Sequence, residues 1–268
     1  MPRPVIALLT DFGVRDHYAG TMKGVILGIC PDVTLVDISH EVPPHDVLAG
    51  ALELAASFRY FPAGTIFLVV VDPGVGSSRR GIVADTGDYK FVAPDNGVLS
   101  LIVDEHPPKR VVELSERRYA LPTVSRTFEG RDRFAPAAAW LAKGIDTGAL
   151  GRGAGALRRL EVPKPIVDPG SGALRGEVLR LDRFGNLITN IDRRTFDAVV
   201  GPGGHAVEIH AGPHQVQKVV STYADAAAGE IVALFGSTDH LEIAANGASA
   251  AALLDLGRGA AVRVVLRA

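Results

Sequence analysis

Two runs of short, apolar, β-branched character, Val5 to Thr10 and Ile66 to Val71, constrain this chain more than any other feature. Neither alternates apolar with polar residues, so each suits a strand buried on both faces, as parallel strands under helices are. Between them, Tyr18 to Ile29 and Asp46 to Tyr60 carry Ala and Leu at helical spacing. The second follows Pro43-Pro44 and stops before Pro62, as a helix should. Strands at Gly81 to Asp85, Lys90 to Ala93 and Arg110 to Glu113 extend the order, with a helix at Gly97 to Asp104 between the last two. This alternation predicts an α/β fold with a largely parallel sheet.

The pattern changes at Gly151 to Gly172, a stretch rich in Gly and Pro with no sustained period, which reads as a linker. Beyond it, Gly176 to Leu181, Leu187 to Ile191, Ala206 to His210, Val216 to Val220 and Ile231 to Phe235 read as short strands between Gly, Pro, Asn and Asp turns. One helix, Ala248 to Leu256, stops at Gly257, and Ala261 to Leu266 forms a last strand. This half is expected to be an all-β barrel or sandwich. With 268 residues the chain exceeds the usual single-domain size. The expected division is an N-terminal α/β domain over 1–155, a linker over 156–175 and a C-terminal β domain over 176–268.

Charge and composition narrow the function classes. A formal charge of −2 exerts no pull toward nucleic acid or an anionic membrane, and the Arg residues are scattered. The single cysteine, Cys30, precludes an internal disulfide and fits a reducing, cytoplasmic compartment. No apolar stretch approaches the ~20 residues that span a bilayer. The N-terminal apolar run ends at Thr10-Asp11 without a small-residue cleavage site, and so reads as a strand and not a signal peptide. Metal chemistry is not expected: the His residues are dispersed, HExxH is absent, and one Cys builds no thiolate site. No GxSxG elbow occurs either.

In open α/β sheets ligands bind beyond the carboxyl ends of the strands. Two aspartates stand at such ends, Asp11 in Asp11-Phe12-Gly13 and Asp72 in Asp72-Pro73-Gly74-Val75-Gly76. Asp also starts turns well, which is the plain reading of each. The loop after Asp72 lacks the Gly-Lys-Ser/Thr ending of a P-loop and leads into a strand, but it carries Arg79 and Arg80. A buried Asp beside Arg orients water; the same pair also serves as a salt bridge that pins the loop. Glu129 either projects into a site or belongs to an exposed turn before a helix, Ala137 to Lys143, capped by Asp132. Asp182-Arg183-Phe184-Gly185-Asn186 has the make-up of a purine pocket, an aromatic face beside an amide and a carboxylate, and equally that of an ordinary turn.

Taken together, Leu8-Leu9-Thr10-Asp11-Phe12-Gly13, Val70-Val71-Asp72-Pro73-Gly74-Val75-Gly76, Ala93-Pro94-Asp95-Asn96-Gly97, Phe184-Gly185-Asn186, and Gly236-Ser237 followed by Leu241-Glu242-Ile243-Ala244 and Asn246-Gly247-Ala248-Ser249 closely resemble the S-adenosylmethionine (SAM) hydroxide adenosyltransferase family. That family is related to the SAM-dependent fluorinase and chlorinase. The resemblance covers nearly the whole chain. It implies a hydrolase that takes SAM as substrate, uses no cofactor, and assembles as a homotrimer with sites between the N-terminal domain of one subunit and the C-terminal domain of the next. It also implies that Asp11 holds the ribose hydroxyls, that Asn186 and the backbone near Gly247 read adenine, and that Tyr223 stacks on the base. Asp182 and Ser237 would hold the methionine amine and carboxylate. Asn96, Phe184 and Asn246 complete the substrate-binding set.

Water is handled in the hydrolytic members by an Asp-Arg-His set. Asp72 and Arg79 match its first two positions. At the third this chain departs, with Phe128-Glu129-Gly130-Arg131-Asp132 where the resemblance leads one to expect Phe-His-Gly-Arg-Asp. Arg131 joins Arg79 as a group expected to offset the added charge. A carboxylate beside the attack position favours water over halide, so hydrolysis is expected in preference to halogenation. A SAM or adenosine binder without turnover is the alternative to which Glu129 points.

Overall fold

The computed structural model describes residues 3–201 and 207–266. The chain divides into two compact units, the first running to Glu161 and the second starting at Val162. The 156–175 segment is shared between them. Arg158 and Leu160 donate backbone N–H groups to Asp95 Oδ1 (2.9 Å) and Ser100 Oγ (2.8 Å) in the first unit. Ile166 and Val167 instead pair with a strand of the second.

In the first unit β1 (Val5–Thr10), α1 (Tyr18–Ile29), β2 (Thr34–Ser39), α2 (Val47–Ser57), β3 (Ile66–Val70), β4 (Gly81–Asp85), β5 (Lys90–Pro94), α3 (Ser100–Glu105), β6 (Arg110–Glu113) and α4 (Ala135–Ala142) follow in order. Their strands make one sheet, β2-β1-β3-β5-β4-β6. β1, β2, β3 and β5 run parallel, and only β4 opposes its neighbours. The apolar runs are buried on both faces because separate helical layers cover them. Ile6, Leu8, Leu68 and Val70 pack with Met22, Ile26 and Phe134 on one side. Ala7, Leu9, Phe67 and Val69 pack with Leu54 and Phe58 on the other. Burial of each large side chain there contributes about 1.5–3 kcal/mol.

Helix α2 opens on Asp46, whose Oδ1 accepts the Ala49 N–H at 3.0 Å. The helix expected over Gly97 to Asp104 starts only at Ser100, because Asn96 claims the preceding turn by accepting the Val98 N–H. Strand β2 lay outside the sequence expectation. It is the sheet edge, and Asp37 and Ser39 dilute its apolar character.

The second unit contains β7 (Ile166–Val167), β8 (Leu174–Leu181), β9 (Leu187–Asp192), α5 (Arg193–Val200), β10 (Val207–Ala211), β11 (His214–Val216), β12 (Ile231–Phe235), β13 (His240–Ala245), α6 (Ala250–Leu254) and β14 (Ala261–Leu266). The order is β11-β10-β14-β8-β9-β13-β12, with β7 on β8, and every pairing of these strands is antiparallel. This nearly barrel-shaped sheet encloses Val178, Leu187, Ile191, Ile209, Ile243 and Val264. The strand expected over Val216 to Val220 is instead His214–Val216; beyond it only an isolated bridge joins Val219 to Ala233. Ala206, the expected start of another strand, lies outside the described residues. The unforeseen helix α5 is capped by Asp192, which accepts the Thr195 N–H at 2.8 Å, and buries Phe196 and Val200. Among the described residues no helix is long and apolar enough to cross a membrane.

Candidate active site

Strands β1 and β3 are parallel neighbours with Thr10 opposite Val70, so Asp11 and Asp72 leave the sheet at the same edge. Asp11 Oδ2 accepts the His45 N–H at 2.8 Å. Beside it Phe12, Tyr18 and Phe128 form an aromatic cluster with ring centroids 5.0–5.8 Å apart.

Asp72 opens a tight loop. Val75 and Ser77 donate N–H groups to the Asp72 and Gly74 carbonyls, and the Ser77 hydroxyl donates to Gly74 (2.6 Å). Gly76 has φ +75°, and a Cβ there would meet the Arg126 carbonyl, so this position requires glycine. The folded loop turns Arg79 back onto Asp72. Its Nε donates to Oδ1 at 2.9 Å and its Nη2 to Oδ2, a bidentate fork. The same Nη2 lies 2.5 Å from Glu129 Oε2. The three side chains are 5% (Asp72), 3% (Arg79) and 12% (Glu129) exposed. The guanidinium also lies over the Phe134 ring, 5.1 Å from its centroid.

Glu129 Oε2 is a buried acceptor for which no described donor has hydrogen-bond geometry; the Arg79 contact is electrostatic. Burial pushes the Asp72 carboxyl above its ordinary value and the Glu129 charge adds to this, against the bonds and charge of Arg79 and the Gly74 N–H. The exposed-turn reading of Glu129 is therefore set aside on geometry.

Its neighbours also sit differently from expectation. Asp132 does not cap a helix; it is buried inside a single π-helical turn, Gly130–Phe134, that runs into α4. Burial would raise its carboxyl, but Arg131 Nε (2.5 Å) and the Ser125 N–H (2.7 Å) bring it below the usual value. Arg131 is thus taken by Asp132. The second cation facing Glu129 is Arg133, 3.8 Å from Oε1 and one helical turn on. Arg80 turns away from Asp72 to Asp95, with Nε at 2.9 Å. Asn96 directs both ends of its amide at backbone, donating to the Val71 carbonyl (2.8 Å) and accepting from Val98 (3.2 Å). It braces the strand end that carries Asp72.

The second unit holds a cavity of about 710 Å³. Asp182, Phe184, Asn186, Tyr223, Ser237 and Gly247 line it, together with Arg180, Ile188, Thr238, Glu242 and Ser249, to which the sequence assigned no site role. Asp182 Oδ1 accepts the Phe184 and Asn186 N–H groups and Oδ2 the Asn186 side-chain amide, all at 2.9 Å. Gly185, at φ +81°, lies where any Cβ would strike Ser249. That turn fixes the amide while leaving Phe184 76% exposed. The Tyr223 hydroxyl donates to Glu242 Oε2 at 2.9 Å. Burial and the Glu242 carboxylate push its ionisation up to about 12, so it stays a neutral donor. Glu242 is itself raised, by burial first and also by the charge of Asp182. Its signal in the sequence was a lone acid in the apolar strand Leu241-Glu242-Ile243, and the structure turns that acid into the cavity, 5% exposed. Asn246 faces elsewhere, donating to the Ala226 carbonyl at 2.7 Å.

Comparison with known proteins gives the same division. Residues 6–151 match the model of the SAM hydroxide adenosyltransferase N-terminal domain and residues 176–263 that of its C-terminal domain. An (R)-S-adenosyl-L-methionine hydrolase of Salinispora tropica is 36% identical, over 98% of this chain and 98% of that protein. One of Thermus thermophilus is 37% identical, over 98% and 100%. A fluorinase of an Actinoplanes species is 31% identical, over 97% of each. Among solved structures, a conserved protein from Thermotoga maritima superposes with a TM-score of 0.90 at 36% identity, covering 97% of this chain and 99% of that one.

Proposed function

This chain belongs to the SAM hydroxide adenosyltransferase family, and from that premise we propose that it hydrolyses SAM to adenosine and L-methionine with water as nucleophile. One observation carries the reading: Arg79 is clamped between two largely buried carboxylates, Asp72 just past the end of β3 and Glu129 at the start of the π turn, and Glu129 keeps a buried acceptor oxygen without a donor.

The sulfonium is already a good leaving group, so the protein's task is to place and deprotonate water. As the water oxygen attacks C5′ in line with the C5′–S bond, that bond breaks and its electron pair stays on sulfur as the neutral thioether. The water proton passes to the Asp72–Glu129 pair, where the raised Asp72 is a better acceptor than an ordinary carboxylate. Arg79 stabilises the hydroxide character that develops on oxygen. Holding the reactants in line supplies about 7–11 kcal/mol of the barrier reduction.

The same charges select against halide. Arg79 offsets one carboxylate and leaves one net negative charge. At ~4 Å and an effective dielectric of ~20 it repels an anion by about 4 kcal/mol and water not at all. We therefore favour hydrolysis over the halogenation of the fluorinase relatives.

Asp11 holds the ribose hydroxyls in this reading, and Asn186 with the backbone at Gly247 reads adenine against Tyr223 and Phe184. Asp182 and Ser237 hold the amino-acid end. The two half-sites are completed between subunits of a homotrimer in the cytoplasm, with no cofactor. Reaction in ¹⁸O-water tests the proposal: the label is expected on the adenosine 5′-hydroxyl. Label in neither product, or a 5′-halo-adenosine as main product in chloride, overturns it.

A further inference from the structure

A polar chain runs inward from the protein surface to the turn that carries Asp11, and no step above uses it. Lys23 Nζ donates to Asp37 Oδ2 at 2.5 Å. Asp37 Oδ1 lies 3.1 Å from His40 Nε2, near enough to favour an N–H on that nitrogen although outside good hydrogen-bond direction. His40 Nδ1 is 2.8 Å from Thr10 Oγ1, which in turn accepts the Phe12 N–H at 3.3 Å. The His40 carbonyl accepts the Gly13 N–H at 2.7 Å. His40 thus grips the Asp11 turn on both sides, through its ring at Thr10, whose hydroxyl holds Phe12, and through its main chain at Gly13.

Donor counting orders the chain. The ring nitrogen nearest the carboxylate keeps its proton, so Nδ1 is an acceptor and takes the Thr10 O–H. That fixes the hydroxyl rotor and leaves a Thr10 lone pair aimed at the Phe12 N–H. Thr10 is fully buried and His40 is 6% exposed, so no substrate reaches this Thr-His-Asp row and it is not a nucleophile.

We propose that His40 is a positioning residue for Asp11: with Thr10 and Asp37 it fixes the turn that aims the Asp11 carboxylate at the substrate ribose. The inference rests on the reading of Asp11 as the ribose-holding group, and the test separates the two.

Calorimetry measures adenosine binding, which involves no turnover, and steady-state assays give kcat and KM for SAM. Asp11→Ala is expected to weaken adenosine by about tenfold or more, and His40→Phe or Thr10→Val by about three- to tenfold, with KM rising and kcat held within about twofold. Thr10→Ser, which keeps the hydroxyl, should restore wild-type binding. In the Asp11→Ala background, His40→Phe and Thr10→Val should cost nothing further, since groups acting through one another are not additive. If Asp11→Ala is silent, the ribose reading falls and this inference with it. If Asp11→Ala weakens binding but the Thr10 and His40 variants do not, or if their losses add to it in full, the positioning role is refuted while the ribose reading stands. Should His40→Phe fail to fold, the Thr10→Val and Thr10→Ser pair decides alone.

Discussion

The most informative substitution is Arg79→Lys, because it keeps the charge and removes the geometry. The wild-type guanidinium spends Nε and Nη2 on the two Asp72 oxygens and shares Nη2 with Glu129. An ammonium reaches only as a point charge and cannot present two parallel N–H groups. The lysine therefore forfeits at least one charge-assisted hydrogen bond, a contribution of about 1.5–3 kcal/mol. It also loses the cation–π contact with Phe134, about 0.5–1 kcal/mol at the lower end of the range.

If the fork aligns the carboxylates that receive the water proton, about 2 kcal/mol of this appears in the transition state, a fall in kcat of roughly thirtyfold. KM should move little if, as proposed, Arg79 acts on water and not on the nucleoside. Arg79→Met goes further: it leaves the Asp72–Glu129 pair with only the half-exposed Arg133 near one of its oxygens, which costs about 3–5 kcal/mol of folding stability. Adenosine release followed by chromatography gives kcat and KM, and urea denaturation gives stability. A lysine variant within twofold of wild type in kcat would show that only the charge matters. A loss confined to KM would place Arg79 on the substrate and sink the water-handling role.

Three further outcomes are expected. Asp72→Ala should lower kcat by about 2–4 kcal/mol of transition-state stabilisation while adenosine affinity, measured by calorimetry, is nearly unchanged; wild-type turnover would reduce Asp72 to a turn-former. In pH–rate profiles, activity should fall on the acid side as the raised Asp72 takes up a proton. Glu129→Gln removes one of the causes that raise it, so the loss should move to lower pH, and Glu129→His should give activity comparable to or above the parent; an unchanged profile in Glu129→Gln argues that Glu129 is chemically idle. Mixing inactive Asp72→Ala and Asn186→Ala subunits should restore part of the activity if sites are shared between chains, and no recovery in demonstrably mixed oligomers would place each site within one chain.

The sequence was most legible where burial dictates it. The β1 and β3 runs admit little but two-sided burial, and their carboxyl ends locate Asp11 and Asp72 without any contact being known. The start of the second helix near Asp46 was legible, but the cap read at Asp132 was misleading, because a π-helical turn draws that carboxylate inward to Ser125 and Arg131. Nothing local announces a π turn, because it differs from an α turn only in how far its hydrogen bonds reach. Helix α5 was hidden for a similar reason: eight residues give a periodicity signal too short to stand apart from the Asp192 turn that caps it. Partner choice among charges was least legible. Adjacent arginines are equivalent on paper, yet Arg79 turns to Asp72 and Arg80 to Asp95, and Arg133, not Arg131, faces Glu129. Those choices depend on chain direction across the sheet edge, which spacing alone does not carry.

That assignment of charges explains how a glutamate is tolerated at the proposed third water-handling position. An imidazole there would be neutral or cationic and would leave Arg79 to Asp72 alone. A carboxylate adds a buried negative charge beside an aspartate already raised by burial, and unpaired it would cost several kcal/mol. Two features offset that cost. Arg79 presents Nη2 to both acids at once, and Arg133, one turn along from Glu129, approaches its other oxygen from the side open to solvent. Being 40% exposed, Arg133 is screened and contributes at most a few tenths of a kcal/mol. Arg79 is therefore the group on which the glutamate depends. It follows that Glu129 and Arg79 are energetically coupled in a way that Glu129 and Arg133 are not. Double-mutant cycles on stability, using Glu129→Gln with Arg79→Met and with Arg133→Met, should return a coupling above about 1 kcal/mol for the first pair and below about 0.5 kcal/mol for the second. Equal couplings would mean that Glu129 is held by the general positive field of its helix turn and not by the clamp.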